Sequence, residues 1–215
     1  MHVPDGFLDP AVAGVFWLLS AVAIALATRR ARGILGGART PLLGVAAAGI
    51  FAAQMLNWPI PGGTSAHFVG GAFAGVLLGP SLGILAVSAV VIVQALVFGD
   101  GGVLALGANL LAMAGVDVLV GYALFAVLAR VHTTAGAFVA GWGAVTASAA
   151  TVGLLAGVSS AFAYDLSTTL LVMTAGHAVL GLLEGAITAT VFGFLAEARP
   201  DLVGGATPRP PEVGA

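Results

Sequence analysis

The first two residues of the chain, Met1 and His2, carry three nitrogen atoms that can bind a single metal ion. The α-amine of Met1 and the amide nitrogen of His2 close a five-membered chelate ring, and that amide and the imidazole Nδ1 close a six-membered one. Ni(II) and Cu(II) favour such planar nitrogen ligation, whereas Zn(II) favours a tetrahedron and Mg(II) favours oxygen ligands. We expect Met1 to be retained, because the initiator is normally removed only ahead of small residues. The start of the chain therefore predicts a nitrogen-rich metal site.

Such a chelate leaves one corner of the square plane for a further ligand. The best candidate is His67, which ends the segment Gly-Gly-Thr-Ser-Ala-His at 62–67. An ordinary alternative stays open for each histidine: His2 as a solvated terminal residue, and His67 as a loop or helix-start residue bonded to backbone. The two histidines become a metal-binding pair only if the fold brings them to the same face.

The elements that must position these ligands are membrane helices. Of the 215 residues 60% are apolar and 7% are charged, against about a quarter charged in soluble domains. The 32 glycines favour close helix packing in lipid. Cysteine is absent, which excludes disulfides and thiolate ligands, and the net charge of −2 gives no reason to expect a nucleic acid partner. Only nitrogen and oxygen remain as metal ligands.

Seven apolar runs are separated by loops rich in Gly, Pro, Asn and Asp, so we predict an all-α polytopic membrane helix bundle with about seven transmembrane helices. The runs lie at 11–28, 41–56, 67–79, 82–98, 108–130, 135–160 and 168–196. The last run exceeds one span, so we expect it to be tilted, kinked or divided into two pieces. Residues 1–197 are predicted to form one membrane domain, and 198–215 a disordered cytoplasmic tail.

The arginines predict the orientation of the bundle in the cell membrane. Acidic residues precede the first run and arginines follow it, which is the reverse of a signal peptide, so we expect no cleavage. With the N-terminus outside, every arginine of the chain falls on the cytoplasmic side. These are Arg29, Arg30, Arg32, Arg39, Arg130, Arg199 and Arg209. The same threading gathers His2, His67 and several carboxylates on the outer side.

The sequence resembles the CbiM/NikM family, the substrate-binding components of energy-coupling factor transporters for cobalt and nickel. The similar motifs are Met-His-Val-Pro-Asp-Gly-Phe-Leu at 1–8, Pro-Gly-Gly-Thr-Ser-Ala-His at 61–67, Leu-Leu-Gly-Pro at 77–80, Gln-Ala-Leu-Val-Phe-Gly-Asp-Gly-Gly at 94–102, Leu-Gly-Ala-Asn at 106–109 and the block 177–188. The resemblance covers the chain to about residue 197. One departure is Ala66, where the family often has glycine, a change that is tolerated unless the turn requires positive φ.

This resemblance implies a planar site made of the Met1 amine, the His2 amide and imidazole, and the His67 imidazole. It implies Ni(2+) or Co(2+) as the transported substrate, and many relatives with this opening supply cobalt for corrinoid synthesis. It also implies three kinds of partner in the lipid bilayer or at its surface: a transmembrane coupling protein, a cytoplasmic ATPase pair and a small accessory membrane subunit. The coupling protein is expected to dock on the first helix, where Ala21 and Ala25, like Ala23 and Ala27, have small-xxx-small spacing.

Further polar residues are candidates for supporting roles around the site. Thr64 and Ser65 could hold the second ring nitrogen of His67 or shape its loop, and Gln94, Asp100 and Asn109 could clamp the N-terminal segment. His177 and Glu184 lie two helical turns apart on one face inside a span, where ionisable groups are costly and usually functional. We expect them to pair with polar neighbours, with Asp117 as one possible partner, rather than to bind metal. Ordinary loop hydrogen bonding and helix capping remain alternatives for all of these.

Two other functions are weighed against metal capture. An intramembrane serine hydrolase would use Ser65 as nucleophile and His177 as base, but no oxyanion arrangement is evident and Met1 and His2 stay unexplained. A stand-alone channel or permease would need no ATPase. The chain has no Walker motif, so ATP hydrolysis must come from another subunit. We therefore expect a transport component and not an enzyme.

Overall fold

A computed structural model describes residues 1–203, which form a helical bundle with one short hairpin. In chain order the elements are α1 Pro10–Ala31, α2 Arg39–Gln54, β1 Asn57–Pro59, β2 Ser65–His67, α3 Gly71–Leu78, α4 Pro80–Val93, α5 Leu106–Asn109, α6 Val118–Leu128, α7 Thr133–Gly157, α8 Leu166–Ala198 and α9 Pro200–Val203. Two π-helical segments, Gln94–Phe98 and Leu110–Asp117, continue α4 and join α5 to α6. The predicted all-α membrane bundle is confirmed.

Five of the continuous helical segments are long and apolar enough to cross a membrane. They are Pro10–Ala31, Pro80–Phe98, Leu106–Leu128, Thr133–Gly157 and Leu166–Ala198. The predicted runs 41–56 and 67–79 correspond to α2, of 16 residues, and α3, of 8, which are shorter than the roughly 20 residues that a perpendicular span requires. The count of seven spans and the orientation therefore stay predictions.

The two ends of the predicted domain differ in how the structure describes them. The last run is one uninterrupted helix of 33 residues, α8, whose N-cap Asp165 accepts a hydrogen bond from the Thr168 amide. After α8 the short helix α9 occupies the beginning of the predicted tail. Residues 204–215 lie outside the described part of the chain, so the disordered tail remains a prediction.

Glycines allow the long helices α7 and α8 to pack backbone to backbone. A Cβ placed on Gly141 of α7 would lie 2.9 Å from the Gly185 Cα of α8, and one on Gly185 would meet the Phe138 carbonyl oxygen at 2.6 Å. Larger side chains would force these helices apart, in line with the role of small residues in membrane bundles. The resulting rigid pair carries His177 and Glu184 into the interior beneath the hairpin.

The hairpin between α2 and α3 positions the segment with the candidate ligand. Strands β1 and β2 pair antiparallel, with Asn57 opposite His67, Trp58 opposite Ala66 and Pro59 opposite Ser65. Because side chains alternate along a strand, Ser65 and His67 face the same side. Among residues 1–203 no residue other than glycine has a positive φ, so Ala66 sits in ordinary strand geometry and the departure from glycine is tolerated.

Candidate metal centre

The N-terminal segment is folded into the protein instead of lying on its surface. Met1, His2 and Val3 are 0%, 3% and 0% exposed as whole residues. Asn109 holds the Val3 backbone on both sides: its Oδ1 accepts from the Val3 amide at 2.8 Å, and its Nδ2 donates to the Val3 carbonyl at 3.1 Å. The Gly102 amide donates to the same carbonyl at 2.9 Å. The chain therefore starts in a fixed register against the loop that follows α4.

Two carboxylates that sequence reasoning did not assign to the site anchor the next part of this segment. Asp5 accepts hydrogen bonds from the backbone amides of Val103, Leu104 and Ala105 at 2.8 to 3.2 Å. Asp9 accepts from the amide and hydroxyl of Ser160 at 3.0 and 2.7 Å. The sequence signal was present in the acidic residues within and directly after the opening motif, but their partners lie about 100 and 150 positions away.

Strand β2 meets the N-terminus with its two inward side chains. The Met1 amine donates to Ser65 Oγ at 2.7 Å. The imidazoles of His2 and His67 lie next to each other, with ring centroids 4.5 Å apart and planes inclined by 22°. The structure thus brings together Met1, His2 and His67, the three residues predicted as metal ligands.

Hydrogen bonds select which ring nitrogen of each histidine is free. His2 Nε2 lies 3.2 Å from Gln94 Oε1, and because a carbonyl oxygen only accepts, Nε2 carries the proton and Nδ1 keeps its lone pair. His67 Nδ1 donates to the Phe68 carbonyl at 2.7 Å, which leaves Nε2 with its lone pair. His67 Nε2 is buried and has no hydrogen-bond partner among the described residues. Gln94 is aimed at His2 by the π-helical segment that it begins, a feature common at functional sites.

Asp100 gives the site a negative charge on its outer edge. Its Oδ1 lies 3.2 Å from His2 Nδ1, without the alignment of a hydrogen bond, and its two oxygens accept from Asn57 Nδ2 at 3.3 Å. A ring nitrogen and a carboxylate oxygen at this distance are stabilised by a positive charge, which either a proton on Nδ1 or a metal ion supplies. This corner of the site therefore favours a cation.

Burial favours the neutral form of the nitrogen donors. It lowers the pKa of the Met1 amine well below its ordinary value of 8.0, against the opposing charge of Asp100. Burial likewise lowers the pKa of His2, and it lowers the pKa of His67 well below 6.5. Neutral amines and imidazoles have the lone pairs that a metal requires.

Side chains alone do not form a metal site in the described part of the chain. No group of three or more His, Cys, Asp or Glu side chains that could hold a metal ion occurs within residues 1–203. A metal ion held at His2 and His67 would therefore need further donors, and the Met1 amine and the His2 amide are the candidates that the sequence predicted. Hydrogen bonds of the described residues include none donated by the His2 amide.

The remaining predicted residues lie around this centre in other roles. Thr64 contacts the sulfur of Met173 through its amide at 3.4 Å and does not hold the ring of His67. His177 Nδ1 bonds to the Met173 carbonyl at 2.9 Å, and Glu184 accepts from backbone amides of the His67 segment. Asp117 accepts from the Ala72 amide at 2.8 Å. Ser65 Oγ accepts from the Met1 amine and is not hydrogen-bonded to His177 in the described structure, so this geometry does not support the hydrolase alternative.

Comparison with known proteins gives one consistent family. Residues 2–202 match the family model described as "Cobalt uptake substrate-specific transmembrane region". A putative metal transport protein of Haloquadratum walsbyi is 70% identical over 203 residues, covering 94% of this chain and 93% of that protein. A putative fused nickel transport protein of Archaeoglobus fulgidus is 53% identical over 203 residues, covering 94% and 68%.

A solved structure agrees with the sequence relatives. The crystal structure of a truncated transition metal transporter superposes with a TM-score of 0.88 at 29% identity, covering 92% of this chain and 99% of that one. These relatives are described as metal transport proteins, and none of the descriptions names an enzyme. The multi-pass membrane protein described here belongs to the family of cobalt uptake substrate-specific transmembrane regions.

Proposed function

We propose that the chain captures Ni(2+) or Co(2+) in a planar four-nitrogen site made of the Met1 amine, the His2 amide, His2 Nδ1 and His67 Nε2. The observation that carries this proposal is the buried His67 Nε2, which has no hydrogen-bond partner among residues 1–203 and belongs to a ring that lies next to the ring of His2. A buried polar atom without a partner costs about 1–3 kcal/mol, so a ligand that satisfies it is expected. The proposal takes Met1 as an unprocessed, unblocked first residue.

The spacing of the two rings fits neighbouring corners of one square plane. With metal–nitrogen distances of about 2.0 Å and roughly 1.1 Å from each nitrogen to its ring centre, imidazoles at right angles have centroids about 4.4 Å apart. The observed separation is 4.5 Å, but the ring planes are inclined by only 22°. Because the lone pair of an imidazole lies in the plane of its ring, both planes must pass through a shared ion, so one of the two rings has to rotate when the ion binds. The Met1 amine, the His2 amide and the His2 imidazole occupy three consecutive corners of the square. The fourth corner is therefore a neighbour of the His2 imidazole, and His67 lies on that side.

An entrance supports capture from one side of the bundle. A cavity of about 400 Å³ opens beside the site and is lined by polar groups, among them Asp5, Asn57, Ser65 and Asp100. Carboxylates at its wall attract a hydrated cation, and His2, which also lines the cavity, is the first nitrogen ligand that can replace its water. We infer that this side faces outward, in keeping with the arginines predicted on the cytoplasmic side.

The chain is proposed to work as the substrate-specific part of an ATP-driven energy-coupling factor transporter. Its own sequence carries no Walker motif, so the finer proposal adds a transmembrane coupling protein, a cytoplasmic ATPase pair and a small accessory membrane subunit. Helix α1 is the most exposed of the candidate spans, with 17% of its apolar window buried, and Ala21 and Ala25 are exposed on it. This small-residue face suits close packing with the coupling protein.

Two measurements test this function. Purified protein titrated with Ni(II) or Co(II) should bind one ion per chain and release protons, because the His2 amide is deprotonated on binding. In cells, uptake of labelled metal should require the chain and stop when the partner ATPase is deleted. Uptake that continues without the ATPase would support a stand-alone permease, and absence of stoichiometric binding would refute metal capture.

A further inference from the structure

The peptide that follows His67 is held from two opposite sides. On one side the Phe68 carbonyl accepts the hydrogen bond from His67 Nδ1 at 2.7 Å. On the other side the amide of the same peptide unit, Val69 N, donates to Glu184 Oε2 at 3.0 Å. No peptide bond in the described residues is cis, so this carbonyl and this amide point in opposite directions from one rigid plane. A contact on one edge of that plane therefore determines where the other edge points.

Glu184 also holds the next peptide. Its second oxygen, Oε1, accepts from the Gly70 amide at 2.7 Å, and Gln54 Nε2 donates to the Val69 carbonyl at 2.6 Å. Gly70 has φ of +71°, a left-handed conformation that turns the chain into α3 directly after these two amides. Glu184 is buried, with 3% of the residue exposed. The carboxylate thus fixes both peptides between the candidate ligand and α3, from the middle of a rigid helix.

We propose that Glu184 is a positioning residue for the metal ligand His67, acting through the peptide plane that joins Phe68 to Val69. Through that plane it orients the Phe68 carbonyl, which in turn keeps the proton on His67 Nδ1 and directs Nε2 at the metal. The arrangement extends the carboxylate–histidine–metal relay, in which an outer carboxylate fixes the tautomer and angle of a ligand, by one rigid peptide. This inference rests on the proposed function, since it concerns the same site.

A purely structural role makes a different prediction. Glu184 caps the approach to α3, so its removal could loosen α3 without any specific effect on the histidine. In that case Glu184 and His67 would contribute to metal affinity independently. If Glu184 acts through His67, its replacement has no further effect once the histidine is gone. A double-mutant cycle separates the two cases.

The experiment compares Glu184→Gln, His67→Ala and the double variant by Ni(II) affinity and by the visible ligand-field band. Glutamine keeps the shape but offers one acceptor, and its NH2 group faces one of the two backbone amides. Glu184→Gln should weaken binding by about 10- to 100-fold, the range typical of outer contacts to metal ligands, and move the band to longer wavelength, toward that of His67→Ala. Glu197→Gln, the same exchange at an exposed position of α8, is the matched control and should change neither quantity.

The cycle has distinct outcomes. In the His67→Ala background, Glu184→Gln should change the residual affinity by less than about twofold, because the interaction it acts through is absent. An equal loss in both backgrounds, or no loss in the wild-type background, would overturn the positioning role while leaving the ligand set intact. Wild-type affinity in His67→Ala alone would instead overturn the ligand set, and this inference with it.

A second variant covers the case in which Glu184→Gln does not fold. Gln54→Leu removes the hydrogen bond to the Val69 carbonyl from a different helix, α2. It should weaken Ni(II) binding in the same direction and lose its effect in the His67→Ala background. Additive losses from Gln54→Leu and His67→Ala would contradict the idea that the 68–70 segment acts through the histidine.

Discussion

Replacing the carboxylate of Asp100 with an amide should weaken metal binding through charge alone. In Asp100→Asn the side-chain shape is kept, and the remaining oxygen can still accept from Asn57. A metal–nitrogen distance of about 2.0 Å added to the 3.2 Å between His2 Nδ1 and Asp100 Oδ1 places this oxygen within about 5 Å of the ion. The bound ion with one deprotonated amide carries a net charge of about +1, so the carboxylate attracts it directly.

The size of the effect follows from Coulomb's law at that separation. Two unit charges about 5 Å apart interact by about 3 kcal/mol at an effective dielectric constant of 20, and by about 0.8 kcal/mol at that of water. The side chain of Asp100 is 21% exposed, which places the expected loss between these limits. At about 1.4 kcal/mol per tenfold change, Asp100→Asn should weaken Ni(II) binding by about 4- to 150-fold.

The assay is a chelator-competition titration of Ni(II) at low and high ionic strength. Screening by salt should reduce the difference between wild type and Asp100→Asn, because the carboxylate is partly accessible. Asp201→Asn, the same exchange at an exposed position of α9, is the control and should leave affinity unchanged. Equal affinities of wild type and Asp100→Asn at low salt would refute the placement of the ion at His2 Nδ1.

Three further results are expected. Ni(II) affinity should fall about tenfold per unit of decreasing pH between 8 and 6.5, because the His2 amide releases one proton when the ion binds. The other nitrogen ligands add little to this slope, because burial holds the pKa of the Met1 amine and of both imidazoles below their ordinary values. A pH-independent affinity would contradict this. His67→Ala should weaken binding and shift the ligand-field band, whereas His132→Ala at an exposed helix cap should do neither. Gly102→Val should abolish tight binding, because a Cβ at that position overlaps the Asp5 backbone and displaces the N-terminal segment; circular dichroism should show an intact bundle.

Several parts of this account could be predicted from the sequence because they depend on composition or on covalent neighbours. The apolar runs predict the long helices, since a membrane span must satisfy its backbone internally. The chelate of Met1 and His2 is predictable because its three nitrogens are joined through consecutive bonds. The role of His67 as the fourth ligand stays a prediction, although its ring lies next to that of His2 and its Nε2 has no hydrogen-bond partner among the described residues.

Other parts could not be predicted because they depend on partners distant in sequence. The strands of the hairpin have three residues each, too few to show alternation, so the run 67–79 was expected to be helical from its start. Asn109 was a candidate clamp, but its double bond to the Val3 backbone spans 106 positions. The hydrogen bond from the Val69 amide to Glu184 joins residues that are 115 positions apart. Such pairings are determined by tertiary packing, which local patterns do not encode.

The central claim is that the free amine at the start of the chain is a metal ligand. It is tested most directly by calorimetric Ni(II) titration of two proteins, one beginning at Met1 and one with a single glycine placed before it, each carrying any purification tag at the C-terminus. The added residue converts the Met1 amine into an amide and displaces the new amine from the buried site. The account predicts one tightly bound ion in the first protein and loss of tight binding in the second, whereas equal affinities would contradict it.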